Sequence, residues 1–426
     1  MSGALSRRAA AELLMTVLEE SRTLDEALST TDSFNALKGP DRGFARAMTS
    51  AALRHLGRID EGLAPFLDRP LDTATPPSRA LLRIGAAQAW LLEMPDHAVV
   101  GETVAAAKTW PRAQRATGFL NAVLRKVVAS RDAFDAAPIS HNWPVWLRTA
   151  AIQGLGVKAA ESLMRAQTET PDTYLTAKDG NAHALAEVVG GEVVADYSVK
   201  VSGASIETLP GFEDGDWWVQ DIAATLPARL LNVTATDRVF DICAAPGGKT
   251  MQLAARRAHV TAIDRSKPRL KRLRKNLWRT GFHGEVETVL ADAIEWQPPQ
   301  PADKILIDAP CSALGTLRRN PEGAWIKTDA DVARFPGIQD RLLRSAIDKI
   351  KPGGVIVYCV CSPFPHEGVE IVDKVLKETA LSRVPINPGE VNGFESSITA
   401  AGDLLTLPNG VFTHDAFYLA RLKRDS

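Results

Sequence analysis

The chain lacks any stretch approaching the ~20 consecutive apolar residues that a membrane-spanning helix needs, so no such span is expected. It also lacks a surplus of one charge: 50 Lys+Arg stand against 51 Asp+Glu, a formal net charge of -1. The global balance therefore points to no polyanionic partner, and any such signal must be local. Only four cysteines occur in 426 residues, all in the second half, with no CxxC pair and no cluster with histidine. Neither a disulfide framework nor a metal site is expected from them; a special cysteine here would be chemical rather than structural. Arg7 and Arg8 are not followed by the apolar core of a signal peptide, so a cytoplasmic location is expected. Internal repeats and low-complexity tracts are missing too.

What is present is a 45% hydrophobic chain long enough for two or three domains. Residues 1–135 read as a helical bundle, with Ala and Leu at helical spacing in Ala9–Leu18 and again in Ser78–Trp90. Ser78 is a candidate cap for the second run, and Gly118–Lys126 reads as the last helix. Residues 140–235 read as a small α+β insert: a helix around Trp143–Gln167, a strand at Thr173–Thr176, a helix at Ala182–Val189 and a strand near Glu192–Ala195. From 236 to 426 strands alternate with helices, beginning at Arg238–Phe240, Val260–Ile263, Val286–Leu290, Lys304–Ile307 and Val355–Tyr358. That alternation predicts a parallel sheet with helices on both faces, an α/β Rossmann-like domain.

The first of these strands runs into Asp241-Ile242-Cys243-Ala244-Ala245-Pro246-Gly247-Gly248-Lys249-Thr250 and then a helix. A glycine-rich turn at a helix amino end lets backbone approach a nucleotide-like ligand. A phosphate loop of the GxxxxGK[ST] type fails here, because Cys243 stands where the first glycine must curl around phosphate. The first four strands each finish at an acid: Asp241, Asp264, Asp292 and Asp308. Strand carboxyl ends line the ligand crevice of such a sheet, and acids there repel polyphosphate. They suit ribose hydroxyls and a cationic centre, and S-adenosylmethionine has both.

Two further thiols follow the fourth and fifth strands, in Asp308-Ala309-Pro310-Cys311-Ser312 and Tyr358-Cys359-Val360-Cys361-Ser362. If the strand ends are neighbours, Cys311 and Cys361 share one rim, an arrangement suited to covalent catalysis. Carbon 5 of a pyrimidine is a poor nucleophile until a thiolate adds to carbon 6. A second thiol can then assist loss of the proton from carbon 5 or release of the first thiol. Cys359, inside an apolar strand, reads as a small buried hydrophobe, and Cys243 as packing or ligand contact.

These motifs resemble the Sun-type (Nol/Nop/Sun) RNA cytosine-5 methyltransferases, with Val219-Gln220-Asp221 and Ile350-Lys351-Pro352-Gly353-Gly354 as supporting segments; the likeness covers about residues 219–424. It implies a Rossmann-like S-adenosylmethionine-dependent methyltransferase domain, with Cys361 as nucleophile and Cys311 assisting product release. It further implies that Cys243, Ala244, Ala245, Pro246, Gly247, Gly248, Lys249, Asp264, Asp292 and Asp308 bind the methyl donor, Asp308 also meeting the flipped cytosine. Phe119–Arg125 resembles the last helix of the NusB-like RNA-binding domain in the RsmB-like branch, which implies small-subunit rRNA as substrate and a monomeric enzyme. A methyltransferase for tRNA or another RNA, and a non-catalytic RNA-binding protein of the same fold, are the alternative readings. The chain departs from the family pattern at Val360, usually threonine, at Ala313, often glycine, and at Asp415-Ala416-Phe417, usually Asp-Gly-Phe.

Between Arg265 and Gly284 lie eight Lys/Arg and no acid, with Leu270, Leu273 and Leu277 marking one apolar stripe. In an otherwise neutral chain this is a local basic patch, suited to RNA phosphates. Arg318-Arg319-Asn320-Pro321 is a second candidate for RNA backbone. The target base must be unpaired or flipped to expose carbon 6.

Overall fold

The computed structural model describes residues 2–203, 206–408 and 412–426. The chain divides into two compact units: Met1–Thr170 with Leu317–Asp329, and Pro171–Thr316 with Ala330–Ser426.

The first unit is helical. Its opening helix, Ser2–Glu20, buries Ala9, Ala10, Ala11, Leu13, Leu14 and Val17 completely, which small side chains permit at close helix contacts. The helix Pro76–Trp90 starts on a Pro-Pro pair, where prolines cost no hydrogen bond. Thr75 is the cap residue, so Ser78 lies inside the first turn instead of capping it; its hydroxyl meets that of Thr75 at 2.8 Å. The helix Thr117–Val128 buries Leu120, Val123, Leu124 and Val127, a spacing of three, one and three that places them on one face. The single helix expected near 143–167 is two, Val145–Leu155 and Val157–Thr168, because Gly156 adopts φ +81 between them. Arg54 is buried here, its guanidinium donating to the carbonyls of Gln167 and Arg318 at 2.6 Å each. Arg318 itself is buried in this unit, which removes it from the RNA-facing role expected of the Arg318–Pro321 run; Arg319 and Asn320 are exposed.

The second unit holds two sheets. The smaller contains β1 (Thr173–Ala177), β2 (Glu192–Val194), β3 (Ser198–Val201) and β4 (Trp217–Val219), all antiparallel in the order β2-β3-β1-β4. The larger contains β5 (Arg238–Ile242), β6 (His259–Asp264), β7 (Val286–Leu290), β8 (Ala302–Asp308), β9 (Ile350–Val360), β10 (Leu381–Arg383), β11 (Leu404–Thr406) and β12 (Phe417–Arg424). Its order is β10-β12-β9-β8-β5-β6-β7, with β11 paired to β12. The five strands read from sequence are parallel, as expected. The sheet is nevertheless mixed, because β12 runs antiparallel to β9 and carries β10 and β11 on its other flank. Strands β10 and β11 are only three residues long, too short for a pattern to stand out.

Chain order reverses at β5, which has β6 on one side and β8 on the other. That switch point opens a crevice at the carboxyl ends of the strands.

Trp90 anchors the helical core: it is 1% exposed, stacks on Phe134 at 5.5 Å and donates its indole N–H to the Val127 carbonyl. Trp90→Ala should therefore destabilise this unit by about 3–5 kcal/mol, measurable by chemical denaturation.

Candidate active site

The glycine turn lies between β5 and the helix Gly248–Ala255. Cys243 takes φ +62 and Gly247 φ +106, and these left-handed residues fold the loop back over the sheet. The Ala244 amide donates to the Ile263 carbonyl of β6 at 3.1 Å. Asp264, 3% exposed at the end of β6, accepts the Ala245 amide at 3.2 Å and the Ser266 amide at 2.8 Å. Arg269 joins Asp264 at 3.5 Å and also donates to the Ala245 carbonyl. Asp292, beyond β7, accepts the Ile294 amide through one oxygen.

Beneath the turn Asp241 is fully buried and accepts the Thr250 hydroxyl at 2.6 Å through one oxygen. Among the described residues its other oxygen has no partner. Burial, with the charge of Asp308 nearby, pushes its carboxyl up to about 7, against the opposing Thr250 bond. Lys249 is buried and donates to Asp308 at 2.8 Å. Burial disfavours its charge, but Asp308 outweighs that and raises the ammonium above its ordinary value. The same ammonium sits over the Phe417 ring at 5.3 Å and is coupled electrostatically to Cys359 and Cys361. Cys243 is pushed up to about 12 by burial and by Asp264 and Asp308, so it stays a neutral thiol.

The parallel register of β8 and β9 sets Asp308 opposite Cys359. Two and three residues further on, Cys361 and Cys311 bring their sulfurs to 3.3 Å. The neighbouring strand ends expected for these two thiols are therefore found. Cys311 is held well above the ordinary thiol range, first by its hydrogen bond to Cys361 and then by burial, so it stays a neutral thiol. Cys359 is fully buried, as read.

Alternation along β9 explains why Val360 is tolerated. Tyr358 and Val360 point into the core with Ile371 and Tyr418, while Cys359 and Cys361 lie against the other face. Residue 360 thus fills core volume, and the nucleophile candidate is placed by its neighbours. Ala313 adopts φ +54, a conformation that favours glycine and accounts for that residue elsewhere in the family pattern. Gly315 donates its amide to the Cys361 carbonyl at 3.0 Å, and a Cβ there would meet the Ala416 carbonyl oxygen at 2.0 Å.

One residue escaped the sequence reading. Glu367 is fully buried, and both serines that follow the cysteines donate to one of its oxygens, Ser312 and Ser362 at 2.5 Å each. Its other oxygen accepts the Ser312 amide at 2.7 Å and the Gln339 amide group at 3.2 Å. The Glu367 backbone carbonyl takes the Tyr358 hydroxyl at 2.7 Å. Each serine oxygen also receives an amide two residues on, Leu314 at 3.5 Å and Phe364 at 3.4 Å. One acid therefore ties together the two turns that carry Cys311 and Cys361. Only its proximity to Cys361-Ser362 in the chain hinted at this.

An acid-lined switch point, a glycine turn over β5 and paired thiols at β8 and β9 define a Rossmann-like methyltransferase. Residues 228–423 match the model for "16S rRNA methyltransferase RsmB/F", and residues 4–129 match that for the "NusB family". A Xanthomonas campestris protein named ribosomal RNA small subunit methyltransferase B is 34% identical over 399 residues, 89% of each chain. A Pseudomonas syringae protein of the same name is 31% identical over 98% of this chain and 96% of its own. The chain belongs to the RsmB/F methyltransferase family, with a NusB-type helical domain at its amino end. It is an RNA methyltransferase whose methyl donor is S-adenosylmethionine. Among solved structures, PH0851 superposes with TM-score 0.74 at 22% identity over 99% of both chains. NSun6 of Pyrococcus horikoshii with SFG does so with TM-score 0.58 at 19% identity, covering 66% of this chain and 98% of that one. At such identities the likeness concerns the fold.

Glu367→Gln should lower kcat at least about tenfold, because an amide donor would face the donors it now accepts, at a cost of about 1.4 kcal/mol or more. Methyl transfer rates alongside thermal unfolding would check it. Asp241 supplies a pH signature. A carboxyl raised in the folded state favours folding at low pH and loses that contribution as pH climbs from about 4 to about 7. Unfolding free energies of Asp241→Asn relative to the parent should rise across that window and level off above it.

Proposed function

We propose that the protein methylates carbon 5 of a cytosine in small-subunit rRNA through covalent catalysis by Cys361. The observation that carries this reading is the pair of sulfurs 3.3 Å apart at adjacent strand ends, beside the crevice. When bound, S-adenosylmethionine supplies an electrophilic methyl group carried on a sulfonium. The donor set suits it. Asp264 has accepted only two amides and an ion pair, Asp292 has committed only one oxygen, and carboxylates accept from ribose hydroxyls. The sole buried cation in the turn, Lys249, is already neutralised by Asp308, which leaves nothing to hold a polyphosphate. Cys243, Ala244, Ala245, Pro246, Gly247, Gly248 and Lys249 would form the backbone wall of the donor site, with Asp264, Asp292 and Asp308 around it.

In the reaction the Cys361 thiolate would form a bond to carbon 6 of the flipped cytosine, and carbon 5 would take the methyl group with the ring electrons displaced to it, the methyl–sulfonium bond breaking to leave a neutral thioether. The proton on carbon 5 then passes to solvent water, its bonding electrons re-form the ring double bond, and the bond from Cys361 to carbon 6 breaks with its electron pair returning to sulfur. Cys311, a neutral thiol with its sulfur 3.3 Å from that of Cys361, is placed to donate its proton to the departing sulfur. Asp308, one third exposed and anchored by Lys249, can accept a hydrogen bond from the base. The NusB-type domain, residues 1–135, would add RNA contacts ahead of the insert at 140–235 and the catalytic domain at 236–426. The enzyme would act as a cytoplasmic monomer, and no helix of the described residues is long and apolar enough to cross a membrane.

Cys361→Ala should abolish methyl transfer while leaving donor binding intact, and full activity in that variant would sink the assignment. Cys311→Ala should instead accumulate a covalent protein–RNA adduct, seen as a retarded band on a denaturing gel. Bisulfite sequencing of rRNA from a deletion strain would identify the cytosine, and an unchanged small-subunit pattern would redirect the search to other RNAs.

A further inference from the structure

The helix Lys267–Arg279 buries Leu270, Leu273 and Leu277 and turns its cations outward. Two of them are occupied by the fold. Arg269 holds Asp264 and the Ala245 carbonyl, while Arg279 donates to the carbonyls of Phe212 and Trp217. The others differ. Lys267, Lys271, Arg272, Arg274 and Lys275 are exposed and, among the described residues, none is ion-paired. Arg274 is steadied by donating to the Thr288 hydroxyl of β7 at 2.9 Å.

Positions 267, 271, 274 and 278 recur at spacings of four, three and four, so they form one stripe along the outer face, with Lys275 beside it. The fourth position is Trp278. Its side chain is 70% exposed, more than any other large apolar side chain among the described residues. The exposed His283 ring lies 4.0 Å from it, inclined by 37°. A tryptophan left in water at the end of a row of unpaired cations contributes nothing to the core, since Leu270, Leu273 and Leu277 already seat the helix. Charge and aromatic surface together match one kind of partner: a polyanion whose units carry flat rings.

We propose that this stripe is a binding track for single-stranded RNA, in which Lys267, Lys271, Arg274 and Lys275 hold consecutive phosphates and Trp278 stacks an unpaired base. Lys267 follows Asp264 by three residues, so the track starts at the rim of the donor crevice and runs about 16 Å to Trp278. Base stacking on an aromatic platform is sequence-tolerant, and a duplex offers no free base face for it. The nearest acids in sequence are Asp264, already held by Arg269 and two amides, and Glu285 and Glu287 beyond the other end of the stripe, of which Glu287 is engaged by the Thr261 hydroxyl. The inference rests on the RNA methyltransferase reading and adds to it a site outside the catalytic crevice.

The test measures equilibrium binding of the full chain to a short single-stranded RNA and to a hairpin of the same composition, across a salt series. Trp278→Ala should weaken single-strand binding about tenfold or more and leave hairpin binding within about twofold. Trp278→Phe should restore most of the loss. Lys271→Gln should weaken binding and reduce the slope of log affinity against log salt by about 0.7. Unfolding midpoints of these surface variants should match the parent. Trp278→Ala binding single strands as the parent does, or losing hairpin affinity equally, would overturn the track. A parent chain that methylates RNA in either case leaves the catalytic reading standing; a parent that binds no RNA overturns both.

Discussion

The catalytic end of this protein depends on a buried carboxyl group that contacts neither of the sulfurs it organises. Strands β8 and β9 run parallel, so their carboxyl ends emerge side by side, but parallel pairing alone leaves the two turns beyond them free to separate. Glu367 closes that gap by accepting the hydroxyls of Ser312 and Ser362 and the Ser312 amide from the interior. Every donor it takes is itself fixed by β8, β9 or the helix that carries Gln339. A network of this kind in a low-dielectric interior is stiff because each broken bond strands a buried polar group. The 3.3 Å between Cys311 and Cys361 follows from that stiffness.

Charge is arranged with similar economy. Four acids approach one crevice, yet the fold avoids stacking four full negative charges. Asp308 is matched to Lys249, Asp264 is satisfied by two amides and Arg269, and buried Asp241 holds its proton up to about 7. Burial and then the same negative surroundings keep Cys243 a neutral thiol, which sets it apart from the pair proposed to act on the base.

Much of this was legible from residue order. Gly247-Gly248 after β5, acids at four strand ends and Pro-Cys-Ser after β8 each carry a local physical requirement, and local requirements leave marks in the chain. The five parallel strands were legible for the same reason, being buried apolar runs between helices. Strands β10, β11 and β12 were not, because their pairing partners lie far away in sequence and two of them are too short to show a period. Ser78 misled as a cap because Pro76 and Pro77 start the helix earlier, and Gly156 broke a helix that periodicity carried through. Val360, a departure from the family pattern, proved to face the core, where a valine serves as filler.

The sequence by itself therefore determined the class of ligand site, the cysteines proposed to react and the basic helix, since glycine, acid and thiol chemistry is written in single residues. Tertiary structure alone decided that Cys311 and Cys361 meet, that Glu367 joins their turns, that Arg318 is buried and that Trp278 stands in solvent beside a row of cations. The physical reason is the same in each case. Distance, burial and partner count are properties of chain segments brought together by sheet register and core packing, and residue order does not contain them until the register is set.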